Sequence, residues 1–522
     1  MYIIKTTIKF IILLTFLSVF PNCSFIRSDL PIDHILRNSE KNKGEIRKAY
    51  NYFYNKGDSL QMEALLFLLE NMNEHSYSEI ALYDSNKVEI DFSILDYEDY
   101  AQARSGIDSL SDCYGDLNWG RKNSYNDLEN ITAELLVENI ELTFTTWEQF
   151  PWSKNYTFQT LLEYILPYRG SNEPLESWRP YFMELFPNIS SSMTNVNDPL
   201  EASIIINDSL KQLFGFDPRF YLHPTDQGLD EMIHNRLGRC EDMTNFTTYA
   251  FRANGIAVTS DYTPYWADSG NNHAWNVVIL PDGNSVPFMG CEANPGDYKL
   301  NNKMAKAYRK TFSVNPDNLA DLIAEKENIP PWLSIRNFLD VTADYTTIHD
   351  VVYNLENTDP DSSNFAYLCV FNSGEWKAIQ SGEIKDNKIL FQAMGVDICY
   401  LPAFYRNGEI IPLGPPFILT ENLQIRNLNG SDLKESHKLI SVTKKLVQNA
   451  TDTNKISFLK KNAVYEYYYW NDKWIIIGED EVTEEPLSFE EVPKNRLYWL
   501  IEKESRQEER IFTYENDQQR WW

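Results

Sequence analysis

Apolar residues recur every three or four positions through the first part of the chain. The spacing is clearest in residues 46–54, 60–72 and 131–144, and it predicts helices that each bury one face. We therefore expect residues 24–148 to form a helical region that packs on the centre of the chain. A solvated helical spacer is the alternative that this pattern leaves open.

The pattern changes after residue 334, where Pro330 and Pro331 end a helical stretch. Short runs of alternating apolar and polar residues follow, separated by Gly, Asn and Asp. Such runs are typical of antiparallel strands. They predict a β-sandwich module at residues 335–428.

A weak internal repeat predicts a second module of the same kind. Residues 366–382 and 464–478 share an aromatic strand, a polar turn, then Trp and Gly, which makes Trp376 and Trp474 equivalent. We infer a second β-sandwich at residues 429–522. Its many Tyr and Trp side chains suggest glycan binding on aromatic platforms, whereas cross-strand packing in a core is the plainer interpretation.

Cys240 is predicted to lie at the N-terminus of a helix in the central part, residues 149–334. Apolar residues three and four apart follow it, and Asn254-Gly255 supplies a left-handed stop signal. The dipole and free N–H groups at that end of a helix favour a thiolate. A small buried residue is the alternative, because unpaired Cys is often buried.

His273 begins a predicted strand, and Glu292 lies on the strand that returns. The β-branched run after His273 leads to Asp282-Gly283, a strong hairpin signal. A two-residue loop there places Glu292 directly opposite His273, with Cβ atoms roughly 5 Å apart. A four-residue loop gives the same partner, whereas a three-residue loop puts a neighbour of Glu292 in that place.

Cys240, His273 and Glu292 together suit nucleophilic catalysis. A thiol needs ionisation or a base beside it, and histidine can take that proton and deliver it to a leaving amine. A carboxylate fixes the tautomer of the imidazole and stabilises the imidazolium. Taken alone, His273 is better explained as a strand-end histidine with a structural hydrogen bond.

The motifs GRCED at 238–242, NGIAV at 254–258 and HAW at 273–275 resemble those of the transglutaminase-like superfamily in order and spacing. The resemblance covers about 60 of the 522 residues. It implies an α+β fold with a papain-like core and a Cys-His-acid site. The family usually has Asp at the third position, where this chain has Glu292, and Asp297 is the substitute nearby.

The superfamily includes acyl transferases, cysteine peptidases, amidases that release glycans from asparagine, and inactive members. The resemblance therefore implies a reaction class in which a thioester forms on Cys240. We expect a hydrolase of peptide or carboxamide bonds rather than a crosslinking acyltransferase. The alternative is a surface protein that binds glycan or protein on a relic scaffold.

Residues rich in Tyr, Trp and Arg stand close to the predicted nucleophile along the chain. Arg169 and Trp178 precede it, and Trp275 follows His273 on the same strand. Such side chains can wall a substrate cleft. Packing, with an Arg–carboxylate pair, is the equal alternative.

Residues 1–22 are typical of an export signal. Lys5 and Lys9 precede an apolar run at 10–20 that is too short to span a bilayer. Cys23 follows, and in bacteria a Cys at that point is often lipid-modified. We expect an exported bacterial protein at the cell surface or in the periplasm, anchored by lipid at Cys23; simple secretion and an uncleaved anchor are the alternatives.

The charge pattern restricts the partners. The net charge is −29 and no cluster of Lys and Arg interrupts the acidity, which argues against nucleic acid. The seven histidines form no HExxH motif and the cysteines no CxxC motif, so we expect no metal and no cofactor. The expected substrate is a protein, peptide or glycoprotein, with membrane contact only through the lipid.

Overall fold

The computed structural model describes residues 32–39, 41–323, 328–355, 364–445, 457–505 and 507–522. The predicted signal at 1–22 and the predicted lipid site at Cys23 lie outside these residues. Within the described ranges, no helix is both long and apolar enough to cross a membrane.

The N-terminal region contains the predicted helices and also a small sheet. Its elements are α1 (Asp33–Asn38), α2 (Lys43–Lys56), α3 (Ser59–Asn71), β1 (Ser76–Tyr83), β2 (Glu89–Ile90), α4 (Tyr100–Tyr114), β3 (Asn118–Asn126), α5 (Asp127–Asn130) and α6 (Ala133–Gln149). The antiparallel sheet has the order β2-β1-β3. Its strands were not predicted, because β3 is polar on both faces and shows no apolar alternation.

The central region consists of helices packed on an antiparallel sheet. Its elements are α7 (Phe158–Tyr164), α8 (Arg179–Leu185), α9 (Pro199–Leu210), β4 (Gly215–Phe216), α10 (Leu229–Asn235), β5 (Leu237–Gly238), α11 (Cys240–Ala253), β6 (Val258–Thr263), β7 (His273–Ile279), β8 (Ser285–Phe288), β9 (Tyr308–Lys310), α12 (Leu319–Leu322), β10 (Phe338–Asp340) and α13 (Thr342–Tyr345). The sheet order is β10-β9-β6-β7-β8. Because β10 pairs with β9, this sheet extends past the predicted boundary at residue 334.

Helix α11 packs on the middle of that sheet. Its apolar face, which includes Met243, Phe246 and Ala250, lies in one buried cluster with Val278 and Phe288. The predicted helix is confirmed, since it begins at Cys240 and the chain turns at Gly255 with a positive φ of 67°.

The rest of the chain is antiparallel sheet. The first group is β11 (Ile348–Asn354), β12 (Phe365–Asn372), β13 (Glu375–Lys385), β14 (Lys388–Gly395), β15 (Ile398–Arg406), β16 (Glu409–Pro412), β17 (Phe417–Leu419) and β18 (Ile425–Asn427), in the order β11-β14-β13-β12-β15-β17-β18, with β16 on β15. The second group is β19 (Lys434–Leu439), β20 (Ser441–Val442), β21 (Ser457–Phe458), β22 (Val464–Trp470), β23 (Trp474–Glu481), β24 (Leu487–Pro493), β25 (Tyr498–Glu502), β26 (Ile511–Glu515) and β27 (Gln518–Trp521). Its main sheet has the order β23-β22-β25-β26-β27.

The two C-terminal groups meet through aromatic side chains. Phe371 lies with its ring centroid 5.4 Å from Trp376, 5.9 Å from Trp474 and 5.4 Å from Trp499. The two repeated hairpins therefore pack on each other in a sandwich-like arrangement, and the predicted α+β fold is confirmed. None of the aromatic residues in which the sequence suggested glycan platforms is fully exposed; these are Tyr465, Tyr467, Tyr468, Tyr469, Trp470, Trp474, Tyr498, Trp499, Trp521 and Trp522.

Candidate functional site

Cys240 is the first residue of α11, and local sequence explains why the helix begins there. The backbone N–H of Arg239 donates to Asp242 Oδ2 at 2.9 Å, and that of Gln227 donates to Oδ1 at 3.0 Å. Asp242 thus ties down the start of the helix. Gly238 is needed because a Cβ there would lie 2.5 Å from the Asp242 Cβ.

The thiol of Cys240 is buried and hydrogen-bonded to a carboxylate. Only 6% of the residue is exposed, and Sγ donates to Glu241 Oε2 at 3.0 Å. Burial, followed by the charge of Glu241, raises the pKa of Cys240 far above its ordinary value, although the backbone N–H of Ala274 opposes the rise. In this conformation burial therefore opposes the thiolate that the helix end was predicted to favour.

His273 is the first residue of β7, as predicted, and lies close enough to Glu241 for the charge of that carboxylate to act on its imidazole. Its Nε2 lies 2.6 Å from the hydroxyl of Tyr298. Burial lowers the pKa of His273 from its ordinary value of 6.5, and the charge of Glu241 raises it in part. Among the hydrogen bonds of the described residues, none uses Nδ1 of His273, so this nitrogen is available to a proton donor.

The predicted register between His273 and Glu292 is wrong. Ile279 pairs with Ser285, and Leu280 N–H donates to Asn284 O at 2.8 Å, which leaves a three-residue loop. Strand β8 then ends at Phe288, before it reaches His273. The carboxylate of Glu292 is exposed, and no hydrogen bond of the described residues joins it to His273.

Close packing at Gly290 explains why the strand ends early. Its N–H donates to Asn276 Oδ1 at 3.2 Å, and an added Cβ would lie 2.1 Å from Thr247 Oγ1. The chain bends here, and Cys291 adopts a positive φ of 60°. Tyr298 then occupies the place beside His273 that the sequence assigned to Glu292.

Tyr298 is the site residue that the sequence did not reveal. It follows Asn294, Pro295 and Gly296 in a stretch without regular secondary structure, so no periodicity relates it to His273. Burial, then the charge of Glu292, raises the pKa of Tyr298 well above its ordinary value. Its hydroxyl therefore keeps its proton at neutral pH.

Two tryptophans predicted to wall a substrate cleft lie in the core instead. Trp275 has no exposed surface and donates to Tyr345 Oη at 3.0 Å. Trp178 is 2% exposed, stacks on Tyr249 and donates to Tyr168 O at 2.6 Å. The prediction that both tryptophans contact a substrate is therefore wrong. Both pack in the core, and neither indole has a surface that a ligand could reach.

Arg169 makes mainly structural contacts. Its Nε and Nη2 donate to the two oxygens of Asp127 at 2.7 and 2.6 Å, and both side chains are almost fully buried. One part of Arg169 nevertheless lines a cavity that reaches His273. An Arg–carboxylate pair, the alternative that the sequence left open, thus describes its main contact.

Two cavities meet at His273. One has a volume of about 580 Å³ and is lined by His273, Ala274 and Glu241, among others. The other has a volume of about 450 Å³ and is lined by His273, Tyr298 and Lys299, among others. Both volumes lie in the range of small-molecule sites, so each cavity has room for a ligand beside His273, whereas neither is lined by Cys240.

The described residues contain no group of three or more His, Cys, Asp and Glu side chains arranged to hold a metal ion. All five cysteines of the described chain are free thiols, and only Cys113 is exposed. The chemistry that this arrangement offers is a thiol hydrogen-bonded to a carboxylate, and an imidazole that feels the charge of the same carboxylate.

The contact between Cys240 and Glu241 leads to a testable expectation. Replacement of Glu241 by Gln removes the charge that raises the pKa of Cys240, so we expect iodoacetamide to label Cys240 about three to ten times faster at pH 8. Peptide mapping by mass spectrometry gives the rate, with the exposed Cys113 as the internal control. Unchanged or slower labelling of Cys240 would show that Glu241 does not hold the thiol protonated.

Comparison with known proteins bears on the central region. Residues 187–288 match the family described as the transglutaminase-like superfamily; the segment contains Cys240 and His273 and ends before Glu292. None of the curated proteins compared with the chain matches it. Among solved structures, the red sea bream transglutaminase is similar at 8% identity, with 62% of this chain and 70% of that chain covered and a TM-score of 0.18, a score too low to relate the two folds in detail.

Proposed function

This chain carries a transglutaminase-like domain at residues 187–288, and on that premise we propose that it is a cysteine hydrolase of peptide or carboxamide bonds. Cys240 is the nucleophile and His273 is the base. The observation that carries the proposal is a contact between the two elements: the first residue of α11 bears the thiol, and the N–H of Ala274, the residue after His273, interacts with its sulfur.

The proposed reaction has two halves. Cys240 Sγ attacks the carbonyl carbon while Nδ1 of His273 takes the thiol proton, and the imidazolium then protonates the departing amine. A thioester remains. Water attacks it while His273 takes a proton from the water, the thiolate of Cys240 leaves with the carboxylic acid as the other product, and the imidazolium returns its proton to that thiolate. The backbone N–H of Cys240, at the start of α11, serves as one donor to the oxyanion.

Tyr298 is a positioning residue in this proposal. For Nδ1 to accept a proton, the hydrogen of the neutral imidazole must be on Nε2, where it donates to the Tyr298 oxygen at 2.6 Å. The hydroxyl fixes the ring and accepts the Nε2 hydrogen in the reactive tautomer. A carboxylate, which only accepts, would in addition select that tautomer. Glu292 acts on Tyr298 through its charge and not on His273 by a hydrogen bond.

Export, a lipid anchor at Cys23 and an extracytoplasmic location remain part of the proposal. They depend on residues 1–23, which lie outside the described part of the chain. A peptide or glycoprotein substrate fits that location. Glycan binding by the C-terminal modules stays a prediction, and the burial of their aromatic rings offers it no support.

The proposal is tested by incubating the protein with a proteome-derived peptide library and identifying new termini by mass spectrometry. On a cleaved peptide we expect Tyr298→Phe to lower kcat about tenfold to a hundredfold, with KM unchanged, because ring orientation and not binding is lost.

The pH dependence of cleavage gives a second test. As the pH falls, kcat/KM should decline only below pH 6.5, since burial lowers the pKa of His273 and the reaction needs the neutral base. His273→Ala should abolish cleavage.

Absence of any cleaved peptide or carboxamide would contradict the proposed hydrolysis. A Tyr298→Phe variant that changes KM but not kcat would instead place this side chain in substrate binding. Tyr221→Phe is a suitable control, because Tyr221 lines both cavities and its side chain is largely exposed.

A further inference from the structure

Positive side chains outnumber negative ones in the lining of the larger cavity beside His273, although the protein as a whole is strongly acidic. Five of its lining residues carry positive charge and three carry negative charge, whereas the whole chain has a net charge of −29. The cations are Arg169, Arg239, Arg252, Lys310 and Arg336, and the anions are Glu74, Asp226 and Glu241.

Most of these cations already have partners. Arg169 binds Asp127, and Arg336 binds Glu74 and Asp321. Arg239 lies between Asp226 at 2.7 Å and Glu241 at 3.5 Å. These ion pairs form part of the cavity wall, and within each pair the opposite charges largely neutralise each other.

Arg252 is a further structural cation. It is 4% exposed and donates to backbone carbonyl oxygens of Tyr164, Pro167, Arg169 and Val258. Since its hydrogen bonds are all made within the protein, it contributes charge to the cavity without offering a free donor.

Lys310 is different. Its Nζ donates to Ser171 Oγ at 2.7 Å, and it makes no ion pair within 4 Å among the described residues. The residue is half-buried, and Asp226 lies near enough for the charge of Lys310 to lower its pKa. An ammonium held in a cavity by one neutral hydroxyl has two remaining hydrogens to donate.

The strand register relates Lys310 to the reacting groups. His273 pairs with Thr263 on β6, and Arg309 pairs with Asp261 on the other edge of that strand. Lys310 is thus two strands and three positions away from His273. Strands lie about 4.8 Å apart and rise about 3.3 Å per residue, so the two Cα atoms are roughly 14 Å apart.

We infer that Lys310 binds a carboxylate of the substrate, and that the enzyme acts on short acidic peptides or close to a free chain end. An extended peptide covers roughly 14 Å in about four residues, so the carboxylate lies within a few residues of the bond that Cys240 attacks. The position of the cleaved bond rests on the proposed function, whereas carboxylate binding does not.

Two sources supply this chemistry, a C-terminal carboxylate and an acidic side chain. Binding to the Cys240→Ser variant of the full chain, measured by isothermal titration calorimetry, separates them. The probes are the acetylated tetrapeptide of alanine as free acid and as amide, and an acetylated tetrapeptide amide with Glu or Gln at its third position.

We expect at least one acid probe to bind about ten times more tightly than its neutral counterpart, as a charge-assisted hydrogen bond predicts. A preference for the free acid identifies a chain end, and a preference for Glu identifies a side chain. Lys310→Met should abolish the preference and Lys310→Arg should keep most of it. Lys388→Met is the matched control, because Lys388 is an exposed lysine at the start of β14 and lines neither cavity.

Equal binding of acid and neutral probes, no binding of any probe, or a preference that survives Lys310→Met would overturn the inference. Thermal unfolding of each variant shows whether the fold is retained, and Lys310→Arg provides a charged replacement if the Met variant is unstable. A Lys310-dependent preference without any hydrolysis by the wild type would reject the proposed reaction and leave the carboxylate site standing.

Discussion

Replacement of Cys240 by Ala is expected to reduce cleavage of any peptide found in the library at least about a thousandfold, as removal of a covalent nucleophile does in related chemistry. No other described cysteine lies beside His273: Cys291 contacts Thr247, and Cys369 and Cys399 are buried in C-terminal strands. The loss should appear in kcat, with binding of the peptide retained, and is measured by initial rates and by calorimetry on the variant.

Cys291→Ala is the matched control for this experiment. Cys291 has the same exposed fraction as Cys240, 6%, and lies in the same buried cluster, so its replacement makes a similar cavity without removing the proposed nucleophile. Equal activity of Cys240→Ala and the wild type would reject the proposed mechanism. Equal loss in both variants would point to damaged packing, which thermal unfolding would reveal.

The second large effect concerns stability. Asp127→Ala is expected to lower the free energy of unfolding by about 3–5 kcal/mol, because it leaves the guanidinium of Arg169 buried without its partner. Asp127 is fully buried and accepts from Arg169 twice and from Tyr168 Oη at 2.8 Å. Urea unfolding of the full chain, followed by tryptophan fluorescence, measures the change.

Two further variants test whether the unpaired buried charge causes the loss of stability. The double variant with Asp127→Ala and Arg169→Met should recover part of the loss, since the unpaired charge is gone. Glu89→Ala breaks the exposed pair with Lys122, in which about half of each side chain is accessible, and should cost less than about 1 kcal/mol. A loss in Asp127→Ala no larger than in Glu89→Ala would show that the buried pair does not stabilise this region.

Local patterns predicted the elements of the site well. The helix that starts at Cys240 and the strand that starts at His273 follow from spacings of three to four residues and from a β-branched run, and both begin at the predicted residue. The antiparallel C-terminal strands were predicted for the same reason. Each of these signals depends only on neighbours along the chain.

The contacts made by those elements were harder to predict. Asp282-Gly283 correctly indicated a hairpin, but the loop has three residues, and this one difference removed Glu292 from the position opposite His273. Nothing local distinguishes the two loop lengths here, because both accept Gly283 at its positive φ of 88°. Trp178 and Trp275 show the same limit, since a side chain that suits a cleft also suits a core.

The sequence by itself determined where the thiol and the imidazole stand on regular elements, and that a transglutaminase-like domain carries them. Only the tertiary structure decided what surrounds them: Tyr298 on His273, Glu241 on Cys240, and Lys310 in the adjoining cavity. The physical reason is that periodicity reports burial of one face, whereas hydrogen-bond partners depend on how remote segments meet. The close packing of Gly290 against Thr247 and Asn276 is such a contact between remote segments. The chain bends there, and this bend brings Tyr298 to the site.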